Sequence, residues 1–125
     1  MKKIISTTNA PAAIGPYSQA VEANGFLFIS GQVPINPATG KVEETTITGQ
    51  AEQVFANINA ILTEAGYCFA DVIKSTVFIT DMADFGAMNE VYKKYYQTDC
   101  PARSAFAVKA LPLGALVEIE TIAAK

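Results

Sequence analysis

Histidine is absent from the 125 residues, and that absence excludes more chemistry than any residue present supplies. Without imidazole there is no Ser-His-Asp or Cys-His nucleophile pair and no ordinary zinc site. Acid–base work then falls to carboxylates, tyrosine, lysine, backbone groups or bound water. Cysteine occurs twice, as Cys68 and Cys100, without metal-type spacing. Both read as free thiols, Cys68 partly buried. Basic clusters are missing beyond the pairs Lys2-Lys3 and Lys93-Lys94, and the net charge is −3. Nucleic-acid binders present a basic stripe that pairs with phosphates, so nucleic acid is disfavoured as a partner. No apolar run approaches the roughly 18 residues that span a bilayer. Only Ile4 and Ile5 follow the charged start before polar residues return, which is not a signal peptide. The expected location is cytoplasmic, with no membrane partner.

What remains is a chain half hydrophobic and 17% charged, the balance of a packed globular protein. With no repeat, low-complexity tract or linker, residues 1–125 are expected to form a single domain. Residues 18–31, SQAVEANGFLFISG, read as a hairpin about Asn24-Gly25, the strongest two-residue turn signal. A two-residue turn pairs Ala23 with Phe26, Val21 with Phe28 and Gln19 with Ser30. Alternation then puts Tyr17 on the face of Ser30. PINPATG, Pro34 to Gly40, reads as a loop.

From Thr48 to Ala65 the apolar residues recur at helical spacing, and Gly66 stands where a left-handed cap belongs. Residues 72–80 read as a buried strand. Asp81 can cap a second helix with Phe85, Met88, Val91, Tyr92 and Tyr95 on one stripe. Residues 104–109 and 116–122 read as strands, and Lys3 to Ser6 as a further one. This order predicts an α+β two-layer sandwich, a mixed sheet with two helices on one face. Apolar residues on both faces of several strands call for a second subunit over the other face.

The stretch CPARSAF holds the only arginine, Arg103, against eight lysines. Counting along the strand puts Phe106 and Val108 on one face and Arg103, Ala105 and Ala107 on the other. In VEIETIA, Val117, Ile119 and Thr121 alternate with Glu118, Glu120 and Ile122. If both apolar faces meet the helices, the arginine and the two glutamates share the opposite face. A desolvated guanidinium needs a carboxylate, which its planar fork grips bidentately. The partner is either Glu118 or Glu120, in a structural ion pair, or the carboxylate of a substrate.

The arginine stretch, together with AAIGPYSQA, FISGQVPINPATG, VFITDMADF, NEVY and LPLGALVEIETIA, resembles the Rid family. These are the enamine/imine deaminases also called the YjgF or L-PSP type. The likeness runs from about Asn9 to Ala123, and GPYSQA, SGQ and PARS together are a specific combination. The RidA-like 2-iminobutanoate/2-iminopropanoate deaminase branch fits best. The resemblance implies a chorismate-mutase-like fold and a homotrimer with sites between subunits. It implies hydrolysis of short 2-imino acids, tautomers of enamines such as 2-aminoacrylate, to 2-keto acids and ammonia, without a cofactor. It also implies a functional link to the pyridoxal-phosphate-dependent dehydratases that release these imines.

Carried over by position, Arg103 is similar to the family arginine that clamps the substrate carboxylate, and Glu118 to the glutamate that positions the water. Tyr17, Ser30, the Gly31 backbone N–H and Asn89 match pocket positions, with Tyr92 a structural neighbour of Asn89. Some relatives carry cysteine where this chain has Ala105, which removes a thiol and bears on substrate range. Two other functions compete: a sensor that clamps a keto acid without turnover, and a ribonuclease or translation inhibitor. Against the latter stand the acidic balance and the lack of a basic groove with stacking aromatics.

Overall fold

Asn24 and Gly25 sit at φ 52° and 81°, the left-handed pair that a two-residue turn requires. They join β2 (Ala20–Ala23) to β3 (Phe26–Gln32). Ala23 pairs with Phe26 and Val21 with Phe28, the register read from the sequence. Ser30 N donates to Gln19 O at 3.0 Å, so the pairing reaches the open end. The structure is a computed structural model that describes all residues, Met1 to Lys125.

Four further strands complete a mixed sheet: β1 (Lys3–Ile5), β6 (Val72–Ile79), β7 (Ala102–Ala107) and β8 (Val117–Ala124). The spatial order is β1-β2-β3-β8-β6-β7. Every pairing is antiparallel except β6 with β7. A parallel pair needs a crossover, and the helix α2 (Phe85–Tyr95) supplies it. The PINPATG stretch, read as a loop, leads through a tight turn between two very short strands, β4 (Ile35–Asn36) and β5 (Lys41–Val42). Two-residue strands leave no alternation to read.

The long helix α1 (Ile47–Ala65) begins where Thr46 Oγ1 accepts a hydrogen bond from Gly49 N at 3.1 Å. It ends at Gly66, φ 80°, whose N–H bonds back to the last turn. Asp81 caps a short 3-10 turn, Met82–Asp84, that runs straight into α2. Val54, Phe55, Ile58, Ile61 and Leu62 are fully buried, in one cluster with Leu27, Val77 and Ile119 of the sheet. Each such side chain contributes roughly 1.5–3 kcal/mol by leaving water. Both helices thus cover one face, and the α+β two-layer arrangement is as expected from the sequence.

The other face stays open. Ile4, Phe28 and Phe106 project from it, 52%, 47% and 53% exposed. On β8 the buried set is Val117, Ile119, Thr121 and Ala123, so Glu118 and Glu120 point to the open side as expected. On β7 the expectation fails. Arg103 is in register with Ser75, which is fully buried beneath the helices, while Phe106 is among the open-face residues. Arg103 therefore lies on the helix face, opposite to Glu118. The alternation itself holds, with Phe106 opposite to Arg103, but the premise that the Phe106 face meets the helices does not. β7 is an edge strand whose residues are all exposed or half-buried, which gives no contrast between its faces. Cys68 also departs from expectation: both cysteines are exposed.

Candidate functional site

Glu118 lies near the start of β8 and opens into a cleft of about 510 Å³, lined also by Tyr17, Ser30 and Gly31. The sheet is irregular there. Between the pairs Ile29–Thr121 and Gln32–Ile119, the two residues Ser30 and Gly31 oppose Glu120 alone, a β-bulge. Bulges re-aim side chains and cluster beside functional sites. Gly31 packs so closely on the Glu118 carboxylate that a methyl group there would collide with Oε2. Glycine is required by that approach.

Burial pushes the Glu118 carboxyl above the ordinary glutamate range, and the neighbouring Glu120 charge adds to the shift. Ser30 Oγ donates to Ser18 O at 2.6 Å, which fixes its rotor and leaves its oxygen able to accept. Tyr17 is about half-exposed at the cleft wall. Its loop is held by a residue the sequence reading passed over, Gln19. The buried amide accepts from Thr7 N at 2.7 Å and donates to Thr7 O and Pro11 O at 3.0 and 2.8 Å. A glutamine inside the strongly patterned GPYSQA stretch was the available signal. Its period-2 position marked only the face, not the loop it ties down.

Arg103 makes a second cluster with α2. Its Nη1 donates to Asn89 Oδ1 at 2.7 Å. Its Cζ lies 4.6 Å from the Tyr92 ring centre and 5.3 Å from that of Phe85. Phe85, Asn89 and Tyr92 stand four and three residues apart, one stripe of the helix. Two aromatic faces attract the cation and restrict its motion. Burial of the Tyr92 hydroxyl pushes that group above the usual phenol range, with the Ser75 hydroxyl and the Arg103 charge acting the other way. The ion pair with Glu118 or Glu120 is not formed. The salt bridges of the chain are Lys93–Glu90 and Lys94–Glu52.

Of the predicted site residues, the structure thus brings Tyr17, Ser30, Gly31 and Glu118 together, and separately Arg103 and Asn89. β6 lies between β7 and β8, and Arg103 and Glu118 register with Ser75 and Phe78 of that strand. Strand geometry puts them about 10 Å apart across the sheet and about 10 Å along it, on opposite faces. One cluster offers a fixed cation with unused donors for a carboxylate. The other offers a carboxyl able to hold a proton at the wall of the cleft. No group of three or more Cys, Asp or Glu side chains is gathered to ligate a metal ion.

Residues 7–125 match the family described as Endoribonuclease L-PSP. A RutC family protein of Pyrococcus horikoshii is 54% identical over 125 residues, covering 100% of this chain and 99% of its own length. The 2-iminobutanoate/2-iminopropanoate deaminase of Mus musculus is 50% identical over 123 residues, 98% of this chain and 91% of that protein. Among solved structures, a Rid family protein from Yersinia pestis superposes with a TM-score of 0.97 at 50% identity, covering 100% of both chains. TdcF from E. coli, solved with bound serine, superposes with a TM-score of 0.94 at 44% identity over 98% of each chain. The chain belongs to the Rid family, the YjgF or L-PSP type.

Proposed function

We propose that this chain hydrolyses short 2-imino acids, the tautomers of enamines such as 2-aminoacrylate, to 2-keto acids and ammonia. The observation that carries this reading is the state of the lone arginine. Arg103 is held by Asn89, Phe85 and Tyr92 and has no carboxylate partner in its own chain. A planar fork fixed in place with donors to spare suits a substrate carboxylate. Deaminase relatives at about half identity support the chemistry, and bound serine in TdcF supports a ligand with a carboxylate beside nitrogen.

An imine carbon is already electrophilic, so modest machinery suffices. Arg103 fixes the carboxylate and turns encounter into near-attack geometry. Glu118 accepts a proton from water as the oxygen bonds to the imine carbon. The resulting carbinolamine expels ammonia, and the raised affinity of Glu118 for a proton suits it to return one to the leaving nitrogen. Tyr17, Ser30 and the Gly31 N–H line the pocket. Overall, one water is consumed, C=N is exchanged for C=O, and no electrons are transferred. No cofactor enters the scheme.

Arg103 and Glu118 are too far apart in one chain for a four-carbon acid to bridge. The reading therefore places the site between copies, in a homotrimer that also covers Phe28 and Phe106. Pyridoxal-phosphate-dependent serine and threonine dehydratases would supply the imines in the cytoplasm. The test couples a threonine dehydratase and L-threonine to this protein, with semicarbazide trapping the imine. Wild type should cut semicarbazone formation and speed 2-oxobutanoate release, and Arg103→Ala should do neither. Unchanged imine lifetime with retained 2-oxobutanoate binding would instead indicate a keto-acid sensor. RNA cleavage lost on mutating Arg103 or Glu118 would favour the nuclease reading.

A further inference from the structure

The two strands that carry Gly31 and Glu118 stop pairing just where these residues meet. Gln32–Ile119 is the last ladder pair between β3 and β8. In that register Glu118 stands opposite Val33, and Pro34, with no N–H to give, follows at once. β6 still pairs with β8 as far as Val117. On the β3 side, however, the ladder no longer sets the spacing between the strands. Two amides of α1 hold it instead. Asn57 Nδ2 donates to Val33 O at 3.2 Å and to Ile35 O at 2.9 Å, while Asn57 Oδ1 accepts from Gln53 Nε2 at 2.9 Å. Gln50 Oε1 accepts from Leu116 N at 2.8 Å, and its Nε2 donates to Glu44 O at 3.0 Å.

Both amides are buried and stand two helical turns apart, on one face of α1. Each is bonded at its oxygen and its nitrogen, so neither can turn without losing a bond. Val33 lies two residues beyond Gly31, and Leu116 two residues before Glu118. The helix thus grips both strands, each close to one partner of the Gly31–Glu118 contact. A reacting carboxyl must be held to within about 0.5 Å by groups that are themselves locked. We infer that Gln50 and Asn57 are positioning residues for the reaction. Through them α1, which supplies no side chain to the cleft, fixes where the Glu118 carboxyl stands against Gly31. This rests on the imine-hydrolase reading and names the groups that set its geometry. All these bonds lie within one chain, so a second copy over the open face leaves them in place.

The test separates position from stability. Asn57→Ala and Gln50→Leu each cut a tie, whereas Gln50→Glu keeps an acceptor for Leu116 N and loses only the donor to Glu44 O. Ile58→Val trims a fully buried residue of the same helix and serves as the stability control. Four quantities are measured on each full chain: hydrolysis of 2-iminobutanoate, 2-oxobutanoate binding by calorimetry, Tm, and the carbon-13 resonance of the Glu118 carboxyl. Loss of that resonance in Glu118→Gln assigns it. All four substitutions should lower Tm. Only Asn57→Ala and Gln50→Leu should lower kcat, about 10- to 100-fold, the cost of roughly 1 Å of misplacement. Both should bind 2-oxobutanoate within about threefold of wild type, because α2 and not α1 holds Arg103. The Glu118 resonance should move in these two and hold in Gln50→Glu and Ile58→Val. If kcat falls in step with Tm across all four, or if Gln50→Leu changes neither kcat nor the resonance, the inference is overturned while imine hydrolysis stands. If wild type leaves the imine lifetime unchanged, the hydrolase reading fails and the resonance alone decides whether the amides place the carboxyl. Should Asn57→Ala not fold, the contrast of Gln50→Leu with Gln50→Glu decides in the same way.

Discussion

Arg103 donates to Asn89 at 2.7 Å across the edge of the sheet, and this bond settles which way the only guanidinium of the chain faces. It faces the helices and α2, away from the open side that carries Glu118. No carboxylate of its own chain pairs with it there.

Replacing Arg103 by lysine keeps the charge but loses the fork, so the change is not conservative here. Two charge-assisted hydrogen bonds reduced to one point contact should lower kcat/KM on the order of 100-fold. Steady-state hydrolysis of 2-iminobutanoate measures it, and an Arg103→Lys enzyme within about threefold of wild type would contradict the clamp.

The ring of Tyr92 should matter more than its hydroxyl. Tyr92→Phe keeps the aromatic face beside Arg103, and its KM should stay close to that of wild type. Tyr92→Leu removes the cation–π contact, worth about 0.5–2 kcal/mol, so KM should rise about 2- to 30-fold. Equal KM in the two variants would assign Tyr92 to packing alone.

Gly31→Ala places a methyl group against Glu118 Oε2. The carboxylate must swing aside, and displacement by about 1 Å can cost on the order of 100-fold in rate. The fold should survive, because the obstacle is a side chain and not backbone. Circular dichroism alongside kcat checks both halves of this expectation.

Glu118 binds its proton more tightly in the folded chain than an ordinary glutamate does. Its contribution to stability is therefore fully present below the unfolded value and is lost as pH rises through the folded one. Glu118→Gln should match wild type in acid and exceed it in Tm at neutral pH, while kcat falls on the order of 100- to 10,000-fold. The acid limb of kcat/KM should lie above the ordinary glutamate range, and Glu120→Gln should move it down. A limb that ignores Glu120 would remove that charge from the site.

Much of the fold was legible because its signals were local. Asn24-Gly25 dictated a turn, and period-2 alternation then fixed the pairing of Val21 with Phe28. The stripe from Ala51 to Leu62 and the Gly66 cap dictated α1. Glu118 was assigned to the correct face since β8 is central and one side of it is wholly buried. The face of Arg103 was not legible, because an edge strand with no fully buried residue carries no such contrast. Burial of Cys68 was misjudged for a similar reason. Past the end of α1, the helical period no longer reports which way a side chain faces. The role of Gln19 depends on backbone groups 8 to 12 residues away, which no short-range pattern encodes.

The claim on which the rest depends is that Arg103 of one copy works with Glu118 of another. Arg103→Ala and Glu118→Gln proteins, each inactive alone, would be unfolded together, refolded at equal ratio and assayed for imine hydrolysis. A site shared between copies regains one intact interface in four by random assembly, so roughly a quarter of wild-type activity should return. If the mixture stays as inactive as its parents while forming mixed oligomers, the two residues do not act across an interface, and the proposed site is wrong.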